Sequence, residues 1–399
     1  MTAVAPARAR TPAQALAAAR SVAPVFAERA PAHDRDGSFP VEDFAALRDA
    51  GLMGLMTPAE LGGAGAGFAD YAEVAMVLAE GSGATALVYN MHASVTGALS
   101  RTSDELARAI GVPDSYFEMR DRVLAAAAEG AFYAVAMSER GAGSRLSAMT
   151  TTYEPVEGGF RIVGTKTFCS GAGHADAYLV AAKAPGSDPP KVSHFLVPAG
   201  AGITVVPTWD SLGMRATGSH DVHLDLVAPP ESLLGGLEGL TLLLAEVMPQ
   251  WLIASYAAVY VGVAAAALST AVSYARERGL DRLPMVRARL GRADAAVAAA
   301  RGVVRTAARQ VDADPGTEET NRWIWRAKLV AGDTAAEVAG SLLEACGTAA
   351  TRRGHPLERI YRDARCGALQ PATSDVCADW LGLAALGRDP DADAEVPRW

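Results

Sequence analysis

The sequence changes character at residues 131–144, which read AFYAVAMSERGAGS. This stretch begins as an apolar, strand-like run and ends in a loop of glycine and serine. Before it, apolar residues recur at spacings of three and four, as in VEDFAALRDAGLMGLM (41–56), which is typical of helices. After it, short runs of β-branched and aromatic residues are separated by turn signals such as VEGG (156–159) and PAGAG (198–202). Helical periodicity returns after residue 235.

These blocks predict three domains. They are an N-terminal helical domain over 1–130, a compact antiparallel β-domain over 131–235, and a C-terminal helical domain over 236–399. The order helix, strand, helix is an α+β arrangement and differs from the alternating pattern of a doubly wound parallel sheet. The segment GGAGAG (62–67) therefore lacks the setting of a dinucleotide loop, and we interpret it as a turn.

Composition and charge exclude several classes of partner. The chain has 399 residues, of which 50% are apolar, so it is long enough to bury a large core. Its net charge is −9 and no basic stripe is present, which argues against nucleic acid as a ligand. The same acidic balance gives no reason to expect binding to a membrane surface.

One segment is apolar and long enough to span a bilayer. It is WLIASYAAVYVGVAAAALSTAV (251–272), which contains no charged residue. Much of it is alanine, serine and glycine, and a charged helical sequence follows. We therefore expect a buried helix at the centre of the C-terminal domain and no membrane span.

The cysteines indicate neither a metal template nor a disulfide framework. Four cysteines are scattered through the chain without a CxxC pair. We expect reduced thiols, no metal site and a cytoplasmic protein.

Three stretches in the predicted β-domain carry residues suited to binding a cofactor. AMSERGAGSRLSAM (136–149) combines glycines, which let a ligand approach the backbone, with serine hydroxyls. GTKTFCSGAGHAD (164–176) adds an aromatic residue and another hydroxyl at the end of a strand, and LGMRATGSHDV (212–222) adds a loop and a further strand.

In this order and spacing, the three stretches resemble the motifs of the acyl-CoA dehydrogenase superfamily. The resemblance extends over about residues 35–388 and includes GLMGLMTPAELGGAG (51–65) in the N-terminal domain. It implies a middle β-domain, a C-terminal four-helix bundle, and FAD lying between them. It also implies a homodimer or homotetramer, since the arginine of this family that reaches the FAD pyrophosphate usually comes from a neighbouring subunit.

The resemblance assigns a cofactor role to seven residues. Ser138 matches a contact to the flavin ring, Phe168 packs against the isoalloxazine, and the Ser170 hydroxyl reaches flavin N5. The remaining four would contact the phosphates or the rest of FAD: Ser144, Arg278, Gly347 and Thr373.

The sequence departs from the family at the catalytic base. Desaturation of an acyl thioester requires a carboxylate that removes the α-proton on the side opposite the flavin. Its usual position, just before a Thr-Ser pair, is here Pro371, followed by Ala372. The second position known in the family falls on Leu252. The nearest acid, Glu246, lies more than a helical turn away across Pro249, and we expect it at the surface.

His92 is the remaining candidate for catalysis, together with Ser170. His92 lies in VYNMHASV (88–95), which matches a pocket helix of the family. A histidine there could act as a base near neutral pH, and a packed structural histidine is the equally open alternative.

Three functions follow from the resemblance and the missing base. The first is an FAD-dependent oxidoreductase that oxidises a small or carrier-tethered substrate by a non-standard route. The second is a flavin monooxygenase, using reduced FMN or FAD as cosubstrate and a C4a-hydroperoxide, with a flavin reductase or electron-transfer partner. The third is a non-catalytic flavin-binding scaffold.

Overall fold

The computed structural model describes residues 8–399, without the side chain of Leu106. The first seven residues of the predicted N-terminal domain lie outside this range. Helices precede a single sheet, and longer helices follow it. The α+β class and the predicted order of helical, β and helical domains are confirmed.

The N-terminal part is helical up to Glu129. Its helices are α1 Pro12–Asp36, α2 Val41–Asp49, α3 Phe68–Gly81, α4 Gly83–Ser100, α5 Asp104–Ala109 and α6 Asp114–Glu129. The break between α3 and α4 falls at Ser82, whose side chain accepts a hydrogen bond from the Thr85 N–H. Because this cap separates two helices without a loop, α4 runs into the core, and almost all its side chains are buried.

Seven strands form one sheet in the order β1-β4-β2-β3-β7-β6, with β5 pairing with β4. The strands are β1 Tyr133–Ala136, β2 Thr152–Val156, β3 Gly159–Cys169, β4 Ala177–Lys183, β5 Val192–Pro198, β6 Ile203–Val206 and β7 His220–Ala228. Most pairs are antiparallel, but β1 and β4 run parallel, and so do β2 and β4 at one residue pair. This detail differs from the fully antiparallel domain predicted from the sequence. Turn signals indicate only which strands follow one another in the sequence. β1 pairs with β4 although β2 and β3 lie between them in the sequence.

The C-terminal part is a helical bundle. Its helices are α7 Leu240–Val247, α8 Ala254–Glu277, α9 Pro284–Ala313, α10 Glu318–Cys346, α11 Pro356–Arg365 and α12 Ser374–Ala385. Pro249 begins a short 3-10 turn, Pro249–Trp251, which separates α7 from α8.

Helix α8 is the apolar segment that resembled a membrane span. The stretch Pro249–Glu277 is the one described helix region that is long and apolar enough to cross a membrane, and 78% of its most apolar window is buried inside the protein. It packs against α3, α9 and α10. The prediction of a buried bundle helix therefore agrees with the structure.

Candidate functional site

An exposed phenylalanine lies at the C-terminal end of β3. The pairing of β3 with β7 is interrupted between Lys166 and Cys169, and Phe168 lies in this irregularity with a φ of 57°. Its side chain is 62% exposed and meets the edge of the Trp209 ring at a centroid distance of 5.9 Å. A large aromatic residue in the left-handed region is unfavourable, and strain of this kind is concentrated at ligand sites.

Three hydroxyl groups form a buried chain next to Phe168. The Oγ atoms of Ser170 and Ser219 are 2.9 Å apart, and Ser219 Oγ is 2.7 Å from Thr217 Oγ1. Thr217 Oγ1 donates in turn to the Met214 carbonyl at 2.9 Å. The structure therefore brings the residue that follows β3 and the loop before β7 together at one point.

The glycine-serine loop, residues 138–144, is hydrogen-bonded to the same end of β3. Glu139 and Gly143 exchange backbone hydrogen bonds, and the Thr167 N–H donates to the Ser138 carbonyl at 2.9 Å. Gly141, at the tip, has a φ of 88° and open space where a Cβ would stand. Ser138 and Ser144 are both half-buried. Two of the predicted contacts thus flank a loop that leaves room for a ligand against its backbone.

A buried ion pair supports this loop from beneath. Lys166 Nζ donates to Glu139 Oε1 at 2.8 Å, and both side chains are almost completely buried. Burial acts to raise the pKa of Glu139, but the Lys166 ammonium and hydrogen bonds from Thr150 and Thr151 outweigh it and hold that pKa below its ordinary value. Burial lowers the pKa of Lys166, and Glu139 opposes that shift. The carboxylate and the ammonium thus stabilise each other's charged forms and fix the loop.

The bundle side of the site presents no carboxylate at either family position. Pro371 is half-buried, and Ala372 is buried. Leu252 is partly buried between Trp251 and Ile253, which are both buried. Their surroundings are apolar, and the Trp251 ring packs against Phe68 at 4.7 Å and Tyr71 at 5.5 Å.

The segment that carries Pro371 is held by a lysine that sequence reasoning missed. Lys328, on α10, is completely buried. Its Nζ donates to the carbonyls of Gly367 at 2.8 Å, Gln370 at 3.1 Å and Ala372 at 2.8 Å. These bonds use all three N–H groups of the ammonium and fix the backbone of the segment.

His92 lies in the core with both ring nitrogens occupied. Nε2 donates to the Met53 carbonyl at 2.7 Å, and Nδ1 accepts from the Tyr133 N–H at 3.2 Å. Burial lowers the pKa of His92 to about 4. The side chain is 1% exposed. This geometry favours the packing role over proton transfer, and it joins α4 to β1.

Two further residues with predicted cofactor roles lie at the C-terminal ends of helices. Arg278 is the exposed C-terminal cap of α8 and makes no ion pair within the described part of the chain. Gly347 ends α10 with a φ of 76° and open space around it. Ala275 and Ala345 share a small apolar cluster, so both ends lie at the same side of the bundle. Arg278 is thus available for the predicted role across a subunit interface.

Thr373 and Glu246 have ordinary structural settings. Thr373 Oγ1 accepts from the Val376 N–H at 3.3 Å and caps α12. Glu246 is exposed, as expected. Burial, followed by Asp391 and Asp389, raises the pKa of Glu246.

Sequence models of three domains match this chain in order. They are the acyl-CoA dehydrogenase N-terminal domain over 13–114, the middle domain over 134–227, and the C-terminal domain over 254–379. The chain belongs to the acyl-CoA dehydrogenase family. It is a flavin oxidoreductase of this family, and the exposed aromatic, the hydroxyl chain and the open loop at the sheet edge fit a flavin.

Relatives of this chain within the acyl-CoA dehydrogenase family include nitrososynthases. L-evernosamine nitrososynthase of a Micromonospora species is 32% identical over 93% of this chain and 90% of its own length. An amino sugar nitrososynthase of Streptomyces rubradiris is 30% identical over 92% of this chain and 88% of its own length.

Solved structures similar to this chain include proteins in complex with FMN. KijD3, in complex with FMN and a dTDP-linked 3-amino sugar, has a TM-score of 0.80 and 29% identity, covering 94% of both chains. FMN-bound TdsC from a Paenibacillus species has a TM-score of 0.82 and 27% identity, covering 94% of this chain and 97% of that chain. Both were solved with FMN, which supports a flavin cofactor for this chain without deciding between FMN and FAD.

Trp209 and Ser219 are the site residues that the sequence left unassigned. Ser219 lies within the stretch 212–222, and Trp209 lies just before it. Their contacts to Phe168 and Ser170 join positions about 40 to 50 residues apart, which no local pattern reports.

Proposed function

We propose that this protein is a flavin-dependent monooxygenase that takes up reduced FMN. The observation that carries the proposal is that Pro371 and Leu252 occupy the two positions where the resemblance predicts a carboxylate. A desaturase of this fold cannot remove an α-proton without a carboxylate at one of these positions. Transfer of oxygen to a nucleophilic substrate has no such requirement.

When bound, reduced flavin would supply two electrons to O2, so that one oxygen atom would enter the substrate and the other would leave as water. The protein's part is to hold the ring and exclude water. Phe168 offers an exposed face, Ser138 and Ser170 offer polar contacts at its edge, and the open loop ending at Ser144 suits a phosphate. The apolar packing around Trp251 keeps the substrate side dry.

An amine is the favoured substrate class. Two relatives at 30% identity or more are named nitrososynthases, and KijD3 was solved with an amino sugar. An amine also supplies the lone pair that oxygen transfer requires. We infer in addition a homo-oligomer joined near Arg278, a separate flavin reductase and a cytoplasmic location.

The test uses the full-length protein, FMN, a flavin reductase, NADH and a panel of primary amines that includes dTDP-amino sugars. In 18O2, the expected product carries one labelled oxygen atom, and none forms without reductase. Anaerobic mixing of the oxidised holoprotein with the same panel should leave the flavin oxidised. Anaerobic bleaching would instead support the non-standard dehydrogenase, and label-free product would contradict oxygen transfer.

A further inference from the structure

The hydroxyl chain beside Phe168 has a direction, because hydroxyl hydrogens are limited. Ser170, Ser219 and Thr217 own one hydroxyl hydrogen each, and the chain ends on the Met214 carbonyl, which can only accept. Each of these hydroxyl oxygens is buried, and no further partner of their side chains occurs within the described residues.

Counting bonds selects one direction. If Ser170 donates to Ser219, Ser219 to Thr217, and Thr217 to Met214, all three hydrogens are used in three bonds. In the reverse direction, Thr217 donates to Ser219 and Ser219 to Ser170, so only two bonds form and the bond to Met214 is lost. Each missing bond in a buried network is unfavourable, so the inward direction is the resting one.

The inward direction leaves Ser170 with its lone pairs facing outward. Ser170 is 8% exposed, the largest value among the three residues, so a ligand would meet the chain at Ser170. A ligand atom that meets this oxygen must therefore donate a hydrogen bond to it. An acceptor atom could bond to Ser170 only if the Ser170 hydrogen turned outward, which would cost the chain one of its three bonds.

Reduced and oxidised flavins differ in this property at N5. Reduced flavin carries an N5–H donor, whereas N5 of oxidised flavin is a bare acceptor. We propose that Ser219 and Thr217 set the redox state that this site prefers, by holding Ser170 as an acceptor that suits reduced flavin. The inference rests on the proposed flavin site, and it names Ser219 and Thr217 as residues that select the redox state and do not react.

The experiment compares the affinities of oxidised and reduced FMN for the full-length protein. Oxidised FMN is titrated by fluorescence, and reduced FMN is titrated under anaerobic conditions. One hydrogen bond predicts that reduced FMN binds about 5- to 10-fold more tightly. The midpoint potential of bound FMN should then lie up to about 30 mV above that of free FMN, because tenfold corresponds to about 30 mV for two electrons.

Two variants remove the preferred direction of the hydroxyl chain and keep the Ser170 hydroxyl. Ser219→Ala frees the Ser170 hydrogen to donate outward, and Thr217→Val removes the link to Met214. Both should reduce the affinity ratio towards one and lower the midpoint potential to near that of free FMN. Thr165→Val is the matched control, because the Thr165 hydroxyl contacts His223 and no member of the hydroxyl chain. The control should keep the wild-type ratio.

The outcomes separate this inference from the proposed function. Equal affinities in wild type, or a ratio that both variants leave unchanged, overturn the inference while leaving oxygen transfer open. A protein that shows the expected ratio but forms no oxygenated product keeps the inference and loses the proposed function. If neither redox form binds, both are overturned.

Discussion

At the scale of the residue, Phe168 combines two unfavourable features. A φ of 57° costs about 1–2 kcal/mol for a residue with a Cβ, and 62% of a large aromatic side chain faces solvent. Within the chain, its ring contact is the edge of Trp209, which does not offset both costs. Features of this kind are expected where a ligand supplies the missing contact.

Replacing Phe168 should separate stability from flavin binding. Phe168→Gly relieves the backbone strain, so the free energy of unfolding should stay within about 1 kcal/mol of wild type. The loss of the aromatic face should weaken FMN binding about tenfold or more. Urea unfolding and FMN titration measure the two effects. Leu386→Ala, at an apolar position that is 76% exposed, is the control and should bind FMN normally. Wild-type affinity in Phe168→Gly would remove Phe168 from the site.

His92 predicts how stability depends on acidity. Its folded-state pKa of about 4 lies below the ordinary value of 6.5, so the folded state binds fewer protons between these values. The stabilisation is complete above pH 6.5 and is lost as the pH falls towards 4, with a slope of up to about 1.4 kcal/mol per pH unit. His92→Gln should flatten this slope in urea unfolding curves recorded between pH 4 and 7.

His223→Gln serves as the control for this measurement, because His223 is exposed on β7. It should retain the wild-type slope. If His92→Gln keeps the full slope and instead abolishes turnover at unchanged stability, His92 is catalytic and the packing role is wrong.

At the scale of the element, α8 lies so close to α3 that one position excludes any side chain. A Cβ on Gly262 would stand 2.3 Å from the Met76 carbonyl oxygen and 2.6 Å from the Ala79 Cβ. These are backbone or backbone-fixed atoms, which cannot move without separating the helices. On α9, by contrast, Gly302 faces open space.

The same substitution at these two glycines should have opposite effects. Gly262→Ala should lower the free energy of unfolding by about 2–4 kcal/mol, because the helices must separate. Gly302→Ala should raise it by about 0.5–1 kcal/mol, because alanine is the better helix former and meets nothing. Urea unfolding of both variants checks this, and equal effects would contradict the close packing of α8 on α3.

At the scale of the whole molecule, the sequence predicted the order of domains because helical and strand periodicities are local signals. It also assigned flavin contacts to Ser138, Phe168 and Ser170 through motifs that are continuous in the chain, and those contacts stay a prediction. It could not find the parallel pairing of β1 with β4, the three carbonyls around Lys328 or the link from Ser170 to Ser219. Each of these joins segments separated by tens of residues, and burial alone decides which of them meet.

Arg362 is the residue in which all three parts of the molecule meet. Its guanidinium donates to Asp34 on α1 at 2.9 and 2.6 Å, to Glu358 one turn away at 2.6 Å, and to the Leu212 carbonyl before β7 at 2.9 Å. The hydrogen bond to Asp34, together with Glu358, raises the pKa of Arg362. The three charged side chains are between 14% and 19% exposed, so water screens them only in part.

Arg362→Met should therefore lower the free energy of unfolding by about 2–3 kcal/mol, since two partly buried carboxylates would lose their cation. Arg362→Lys should recover less than half, because an ammonium cannot bond Asp34 through two nitrogens. Arg388→Met removes a surface pair whose arginine is 53% exposed and should cost less than about 0.5 kcal/mol.

A double-mutant cycle with Asp34→Asn in urea should give a coupling of about 1 kcal/mol or more. If Arg362→Met matches Arg388→Met, the three parts are joined by apolar packing alone, and the position of the Leu212 loop, which leads to Ser219, does not depend on this charge.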